Sequence, residues 1–332
     1  MRKAVCAREE MNLRKLLFLS TIFSFAQYAQ AQVDTYASRP IRMVVAFSPG
    51  GAPDILARIA GQRLTEKLGQ PVIIDNRPGA AGNVGADIVA KAQADGYTLF
   101  MATVSLAISP SVYKSLTFKV PESFAPVTMA ASVPLILVVH PSLPAKTVGD
   151  LIQITKDKSR QLNYASVGVG SPQHLAGELF KLRTGAGMVH VAYKGGAPAN
   201  TALLGGEAHV YFSGMPPALP YVKAGRLRAL AVTTRARSPS APEVPTAAEA
   251  GLKDFEVDNW HAILAPAGTP GAIVARLNKH LADILNEPGV KNQFVQQGAQ
   301  AQSSTVQALA AFMREEARKW SAVTKQAGIT LE

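Results

Sequence analysis

Short aliphatic runs alternate with segments of helical periodicity along most of the chain. Residues 41–47 (IRMVVAF) form an apolar run ending at a Pro-Gly-Gly turn, the pattern of a buried strand. Ile55, Leu56, Ile59, Leu64 and Leu68 follow at near-helical spacing, and Gly69 is placed to close that helix. Residues 71–75 predict the next strand, 84–92 a helix and 98–103 a third strand. A βαβαβ rhythm implies parallel strands joined by right-handed crossovers, so the fold class is α/β.

A long apolar stretch at 127–140 runs through Pro134 and leaves this first unit. Thr147 and Asp150 give a capping signal, T-x-x-D, for a second series. It comprises strand 163–166, helix 172–183, strand 188–192, helix 197–204 and strands 209–212 and 228–233. Residues 238–245 are rich in Pro and Ser and read as an exposed connection. After the apolar segment 260–265, Thr269-Pro270 predicts an N-cap followed by proline at the first helical position. Ile273, Val274, Leu277, Leu281, Ile284 and Leu285 supply the apolar stripe of that helix. Ser304 with Gln307 predicts a capping box before Leu309, Phe312, Met313 and Trp320.

The chain has 332 residues, enough for about two domains. With 48% apolar and 17% charged residues it buries a sizeable core and is not a disordered chain. The net charge of +11 suits an anionic partner. No dense basic run with interleaved aromatics accompanies it, so no nucleic-acid partner is expected. The single cysteine, Cys6, excludes an internal disulfide framework and any CxxC site. Arg14 and Lys15 precede an apolar segment, 16–25, and Ala29-Gln30-Ala31 matches a small-x-small cleavage site. These features read as a secretory signal, residues 1–31, whose apolar core is too short to span a bilayer. An uncleaved anchor is the alternative, and Glu9 and Glu10 leave Met1 and Met11 both open as the start.

Two glycine loops carry candidate chemistry. In Phe47-Ser48-Pro49-Gly50-Gly51-Ala52-Pro53-Asp54, the glycines allow close backbone approach, and the helix behind them offers unpaired N–H groups to an anion. The same loop also reads as an ordinary tight turn, with Asp54 favourable to the helix dipole. In Gly168-Val169-Gly170-Ser171-Pro172-Gln173-His174, Ser171 is a natural N-cap and Pro172 a natural first helical residue. A serine three residues before His174 invites a hydrolase reading, but no G-x-S-x-G elbow and no orienting acid accompany it. His174 reads better as polar lining or a capping partner. A third turn, Tyr193-Lys194-Gly195-Gly196, again precedes a helix; Lys194 is either solvated or neutralises an anion.

The segments SRPIRMVVAFSPGGAPDILAR, VIIDNRPGAAGNVGAD, YASVGVGSPQHLAGELF, HVAYKGGAPA, RLRALAVTT, VPTAAEAGL and LAPAGTPGAIVARLN stand in the order and spacing of one family. Through them the chain resembles the substrate-binding proteins of tripartite tricarboxylate transporters, the Bug-type receptors, from about Ser38 to Glu332. The resemblance implies a type II-like periplasmic binding protein of two α/β domains, 32–131 with 256–332 and 132–255, joined by crossing strands. A carboxylate would sit in the cleft between them, held largely by backbone N–H groups. Carried over by motif, the ligand-binding residues are Phe47, Ser48, Gly50, Gly51 and Asp54 of the first loop. Ser166, Gly168, Gly170, Ser171 and His174 belong to the second, with Tyr193, Lys194 and Gly195 beside them. Thr103 and Ser105, at a strand end, complete the set. The chain departs from the family pattern after Trp260, where His261-Ala262 replaces the commoner glycine two places on.

The expected function is therefore a monomeric receptor without chemistry of its own, delivering its ligand to membrane transporter subunits. Dicarboxylates, tricarboxylates, aromatic acids and amino acids all suit such loops. Helix N-termini at about 0.3–1 kcal/mol each and charged hydrogen bonds at about 1.5–3 kcal/mol, less ordering costs, reach micromolar affinity. A periplasmic serine hydrolase using Ser171 and His174 is the alternative. Gly79-x-x-Gly82-x-x-Gly85 lacks dinucleotide spacing, and the six histidines contain no H-x₃-H pair, so neither cofactor nor metal is expected.

Overall fold

A computed structural model describes residues 36–157 and 159–327. The predicted signal, its cleavage site and Cys6 lie outside the described residues.

The chain builds two α/β halves on one plan. β1 (Ile41–Val45) pairs in parallel with β2 (Val72–Asn76) on one side and β3 (Thr98–Thr103) on the other. α1 (Ala52–Leu68) connects β1 to β2, with Pro53 in its first turn. It stops at Gly69, whose φ of 68° is left-handed and costs glycine no Cβ clash. α2 (Asn83–Ala90) leads to β3, and α3 (Ser105–Val112) follows it. In the second half β5 (Asn163–Ser166) pairs in parallel with β6 (Val189–Ala192) and β7 (Val210–Gly214). α5 (Pro172–Thr184), α6 (Gly196–Leu204) and α7 (Met215–Lys223) follow β5, β6 and β7 respectively. Ahead of β5 stands α4 (Val148–Lys156), which carries the predicted capping box of Thr147 and Asp150. β1 and β5 thus occupy equivalent central positions, and the strand order reverses beside each of them.

β4 (Phe124–Val139) is shared. Up to Pro134 it pairs antiparallel with β9 (Asp258–Pro266), and at Ala131 and Ser132 also with β10 (Gln300–Ala301). From Leu135 onward its neighbours are β7 and β8 (Arg228–Val232). The exchange of partners falls at a proline, which has no N–H to give a ladder. Pro126 likewise adjoins a register shift, as proline inside a sheet requires. Where the chain leaves the second half, Thr233 N donates to Leu135 O at 2.9 Å. Where it returns, Val257 N donates to Thr233 O at 3.3 Å, and Val257 O accepts the Thr233 hydroxyl at 2.8 Å. The three crossing segments are bonded to one another.

α8 (Gly271–Asn286) packs its predicted stripe, Ile273 to Leu285, with α1 against Met43, Val45, Leu99 and Ile263. α9 (Pro288–Gln296) follows directly. A second core runs from Phe100 through Leu137 and Tyr164 to Phe180, Phe212 and Trp260. α10 (Val306–Ala327) is tied to the crossing strands by Glu316, which accepts both the Trp260 and the Trp320 indole N–H at 2.8 Å.

Three expectations are corrected. α8 starts at Gly271 with Pro270 as its cap, because the Thr269 hydroxyl is spent on Pro266 O, 2.7 Å, closing the turn after β9. α10 is capped by Thr305, which accepts from Ala308 N at 3.1 Å, because Ser304 is engaged with Met129 N of β4 at 3.0 Å. Within 238–245, Ser238, Ala241 and Val244 are buried, and Val232 pairs with Thr246 just beyond, so this connection packs rather than projecting.

Candidate functional site

Parallel strands release their chains at their carboxyl ends, and where strand order reverses two loops diverge and leave a crevice. Here two such crevices face each other, one after β1 and one after β5. The β1 loop is braced from below by Asp54. Its buried carboxylate accepts Gly50 N at 2.9 Å, Arg58 Nε and Nη2 at 3.0 and 2.9 Å, and Asn76 Nδ2 at 3.0 Å. Burial acts to raise its pKa, but these donors outweigh it and hold the group below the usual carboxylate range. Gly50 sits at φ 77°, a conformation that glycine adopts freely.

The β5 loop is braced from behind. Ser166 Oγ accepts Gly168 N at 3.0 Å and meets His190 Nε2 at 2.6 Å. Ser171 is the N-cap of α5: its hydroxyl accepts His174 N at 3.3 Å and donates to Gly168 O at 2.6 Å. His174 Nδ1 accepts Gly170 N at 3.2 Å, and its ring lies 4.2 Å from that of His190. Burial lowers the pKa of both imidazoles, that of His190 to about 4, with His174 adding to the effect. Ser171 and His174 therefore meet through the backbone amide. The serine proton goes to a carbonyl, not to an imidazole nitrogen, so the pair lacks the geometry of an activated nucleophile.

The two halves touch through neighbouring turns: Ser48 N of the β1 loop donates to Lys194 O in the turn after β6 at 3.3 Å, and the Tyr113 hydroxyl, just after α3, donates to Val169 O of the β5 loop at 2.9 Å. Beneath this contact lies a cavity of about 20 Å³, the space of one water molecule. Outside it a mouth of about 300 Å³ opens between Gly79–Gly82, Val167–Val169 and Ala192–Lys194.

The inner cavity is lined by the first turns of several helices: Ala52 and Pro53 of α1, Ser105 of α3, Pro172 and Gln173 of α5, Gly196 of α6 and Pro217 of α7. Each such end carries partial positive charge. Among the described residues, no Asp, Glu, Lys or Arg lines the cavity. The remaining polar surface comes from Thr103, Tyr211, Asn259 and His261. Among the described residues, Ser105 Oγ, Gln173 Oε1, Tyr211 OH, Asn259 Oδ1 and both His261 ring nitrogens are buried without a hydrogen-bond partner. Native interiors leave few such atoms, and here most of them gather around one space. Burial pushes the His261 pKa down to about 4, with the Asn259 backbone acting in the opposite direction, and raises that of Tyr211.

Of the residues singled out from sequence, Phe47, Thr103 and Ser105 line the inner cavity. Gly168, Tyr193 and Lys194 line the mouth, where Phe47 recurs. Gly50, Gly51 and Gly195 make the loop-to-loop approach, while Asp54, Ser166, Ser171 and His174 brace the loops, with Gly170 bonded to His174. The amides of Ser48, Gly50, Gly51, Gly168, Gly170 and Ser171 all have partners within the protein. Gln173, Tyr211, Asn259 and His261 were not anticipated. A histidine inside the apolar run 260–265 is the one signal that marks any of them.

Residues 56–329 match the family described as tripartite tricarboxylate transporter family receptor. The chain is 40% identical to Protein BugT of Bordetella pertussis over 326 residues, 97% of this chain and 100% of the relative. Its fold superposes on the periplasmic binding protein BugD with a TM-score of 0.85 at 31% identity, covering 89% of this chain and 99% of that one. R. palustris Rpa4515, solved with adipate, gives 0.86 at 38% identity, covering 89% and 100%.

Proposed function

Because the chain belongs to the tripartite tricarboxylate transporter receptor family, we propose that it is an extracytoplasmic receptor that captures a small organic carboxylate between its two halves. The observation that carries this reading is the convergence of helix first turns on a cavity lined by no charged side chain among the described residues. Several half-charges of one sign favour an anion there, and neutral hydrogen-bonding groups supply its contacts. The residues divide into two domains, 32–131 with 256–332 and 132–255. Their parting widens the inner cavity to ligand size and frees the Ser48 N–H from Lys194, and their closure traps the acid. The freed Ser48 N–H and the first-turn N–H groups of the lining helices then share the carboxylate with Ser105, Gln173 and Tyr211. The adipate held by Rpa4515 supports this ligand class. The leader and the periplasmic character of BugD support export, and the family supports hand-over to a membrane transporter. The receptor acts as a monomer and performs no chemistry.

A thermal-shift screen of organic acids tests the reading. At least one carboxylate should raise the melting temperature by mass action, and its amide or ester should shift it far less. The reading fails when no acid produces a shift. Recovery of a chemically altered ligand, dependent on Ser171, would point to hydrolysis instead.

A further inference from the structure

The helix first turns belong to loops, whereas the strand that floors the cavity, β9, presents only Asn259 and His261 to it. His261 is fully buried, pairs in register with Thr103 of β3 and Ala131 of β4, and offers two ring nitrogens with no partner among the described residues. A ligand long enough to reach from the loops to this strand must end against that imidazole. Resting on the receptor reading above, we propose that His261 selects the far end of the ligand. A second carboxylate seated there is accompanied by one proton, taken from solvent onto His261.

A carboxylate moved from water into a buried site is strongly disfavoured unless a charge or a full set of donors meets it. Tyr211 is the other titratable group lining the cavity, and a phenol supplies a hydrogen bond but no positive charge. Asp258, Glu316 and Lys319 stand on the opposite face of β9 with Trp260, whose indole bonds Glu316. Asp54 of α1 is held by Arg58, and His174 of α5 is turned to Gly170 with its ring against that of His190. Among the described residues, His261 alone lines the floor with a group that can become a cation. Without ligand it stays neutral because burial lowers its pKa. An anion in contact reverses that balance, and the imidazolium with its carboxylate forms a charge-assisted pair. A ligand whose far end is an amide or hydroxyl meets the neutral ring and brings no proton.

Calorimetry of wild-type protein decides the matter, using the straight-chain dicarboxylates from succinate to adipate, each beside its monoamide. Titrations run near pH 6 in two buffers of different ionisation enthalpy. The expected result is uptake of about one proton per dicarboxylate bound and none per monoamide. His261→Gln, which keeps hydrogen bonding but cannot be charged at this pH, should abolish the uptake. It should also cut the preference for diacid over monoamide at least tenfold. Dicarboxylate binding with no proton uptake overturns the proposal on the wild-type data alone, whether or not the variant folds. So does uptake that survives in His261→Gln, or binding confined to monocarboxylates, and these results leave the receptor reading intact. Only a protein that binds no organic acid at all removes both.

Discussion

Gly195 is where the proposed closure is sensitive to a single atom. Its backbone is extended, φ 161°, so alanine meets no conformational penalty there. A Cβ at this position would lie 2.2 Å from Ser48 Oγ, 2.9 Å from Ser48 N and 3.2 Å from Ser48 Cβ. The hydroxyl can rotate aside, but the backbone nitrogen cannot. Reaching ordinary van der Waals contact requires the β1 loop to withdraw by about 0.5 Å. The Ser48 N to Lys194 O bond is already 3.3 Å long, and the same withdrawal takes it past the range of a hydrogen bond. Losing one such bond costs about 0.5–1.5 kcal/mol, or roughly two- to tenfold in Kd, and applies only to the closed form. Gly195→Ala should therefore weaken binding of an acid from the thermal-shift screen by about that factor, measured by calorimetry. The ligand-free melting temperature should move little, because the open form of the proposed cleft carries no such clash. If the folded variant binds as tightly as wild type, the loop-to-loop contact is not part of the bound state. If it unfolds without ligand, the contact belongs to a rigid body, not to a closing cleft.

Two further outcomes follow from the same geometry. Gly170→Ala should destabilise the ligand-free protein by about 1 kcal/mol or more, seen in urea titration, because Gly170 is at φ 82° and the added Cβ would sit 3.3 Å from Val112. Stability should also fall as pH drops below about 6.5: folded His261 has a pKa near 4 while the unfolded chain takes up its proton earlier, so the folded state binds fewer protons. Between neutral pH and about pH 5 this amounts to about 2 kcal/mol. Urea titrations of His261→Gln should lack that part of the loss, and identical pH slopes in variant and wild type would show that the ring is solvated.

The strand-and-helix alternation was legible because aliphatic runs and 3.6-residue stripes report burial directly, as in β1 and α8. What escaped were helices written in unfavourable residues. α3 carries Pro110, and α7 reads MPPALPYVK. Both follow a buried strand, so tertiary packing, joined in α7 by first-turn prolines, overrides an interior preference that is poor. The caps at Thr269 and Ser304 misled for a related reason. A hydroxyl serves whichever donor or acceptor the fold brings near it, and a strand neighbour 175 residues away does not appear in a local pattern.

The site divided along the same line. Loops such as Phe47 to Asp54 and Gly168 to His174 are local objects, and their glycines, caps and prolines announce a strand-to-helix turn from the amino-acid order alone. Their meeting around one cavity is not local: it depends on β4 passing from one sheet to the other at Pro134, which sets the carboxyl ends of β1 and β5 face to face. Once that crossing exists, β9 must run beside it, and the alternation of a strand sends Trp260 to α10 and Asn259 and His261 to the cavity. The same pleat that buries an indole on one face therefore delivers an unpaired imidazole to the other. Neither residue can be moved by one position without exchanging a core side chain for a polar one, so strand register and the chemistry of the cavity floor are one constraint.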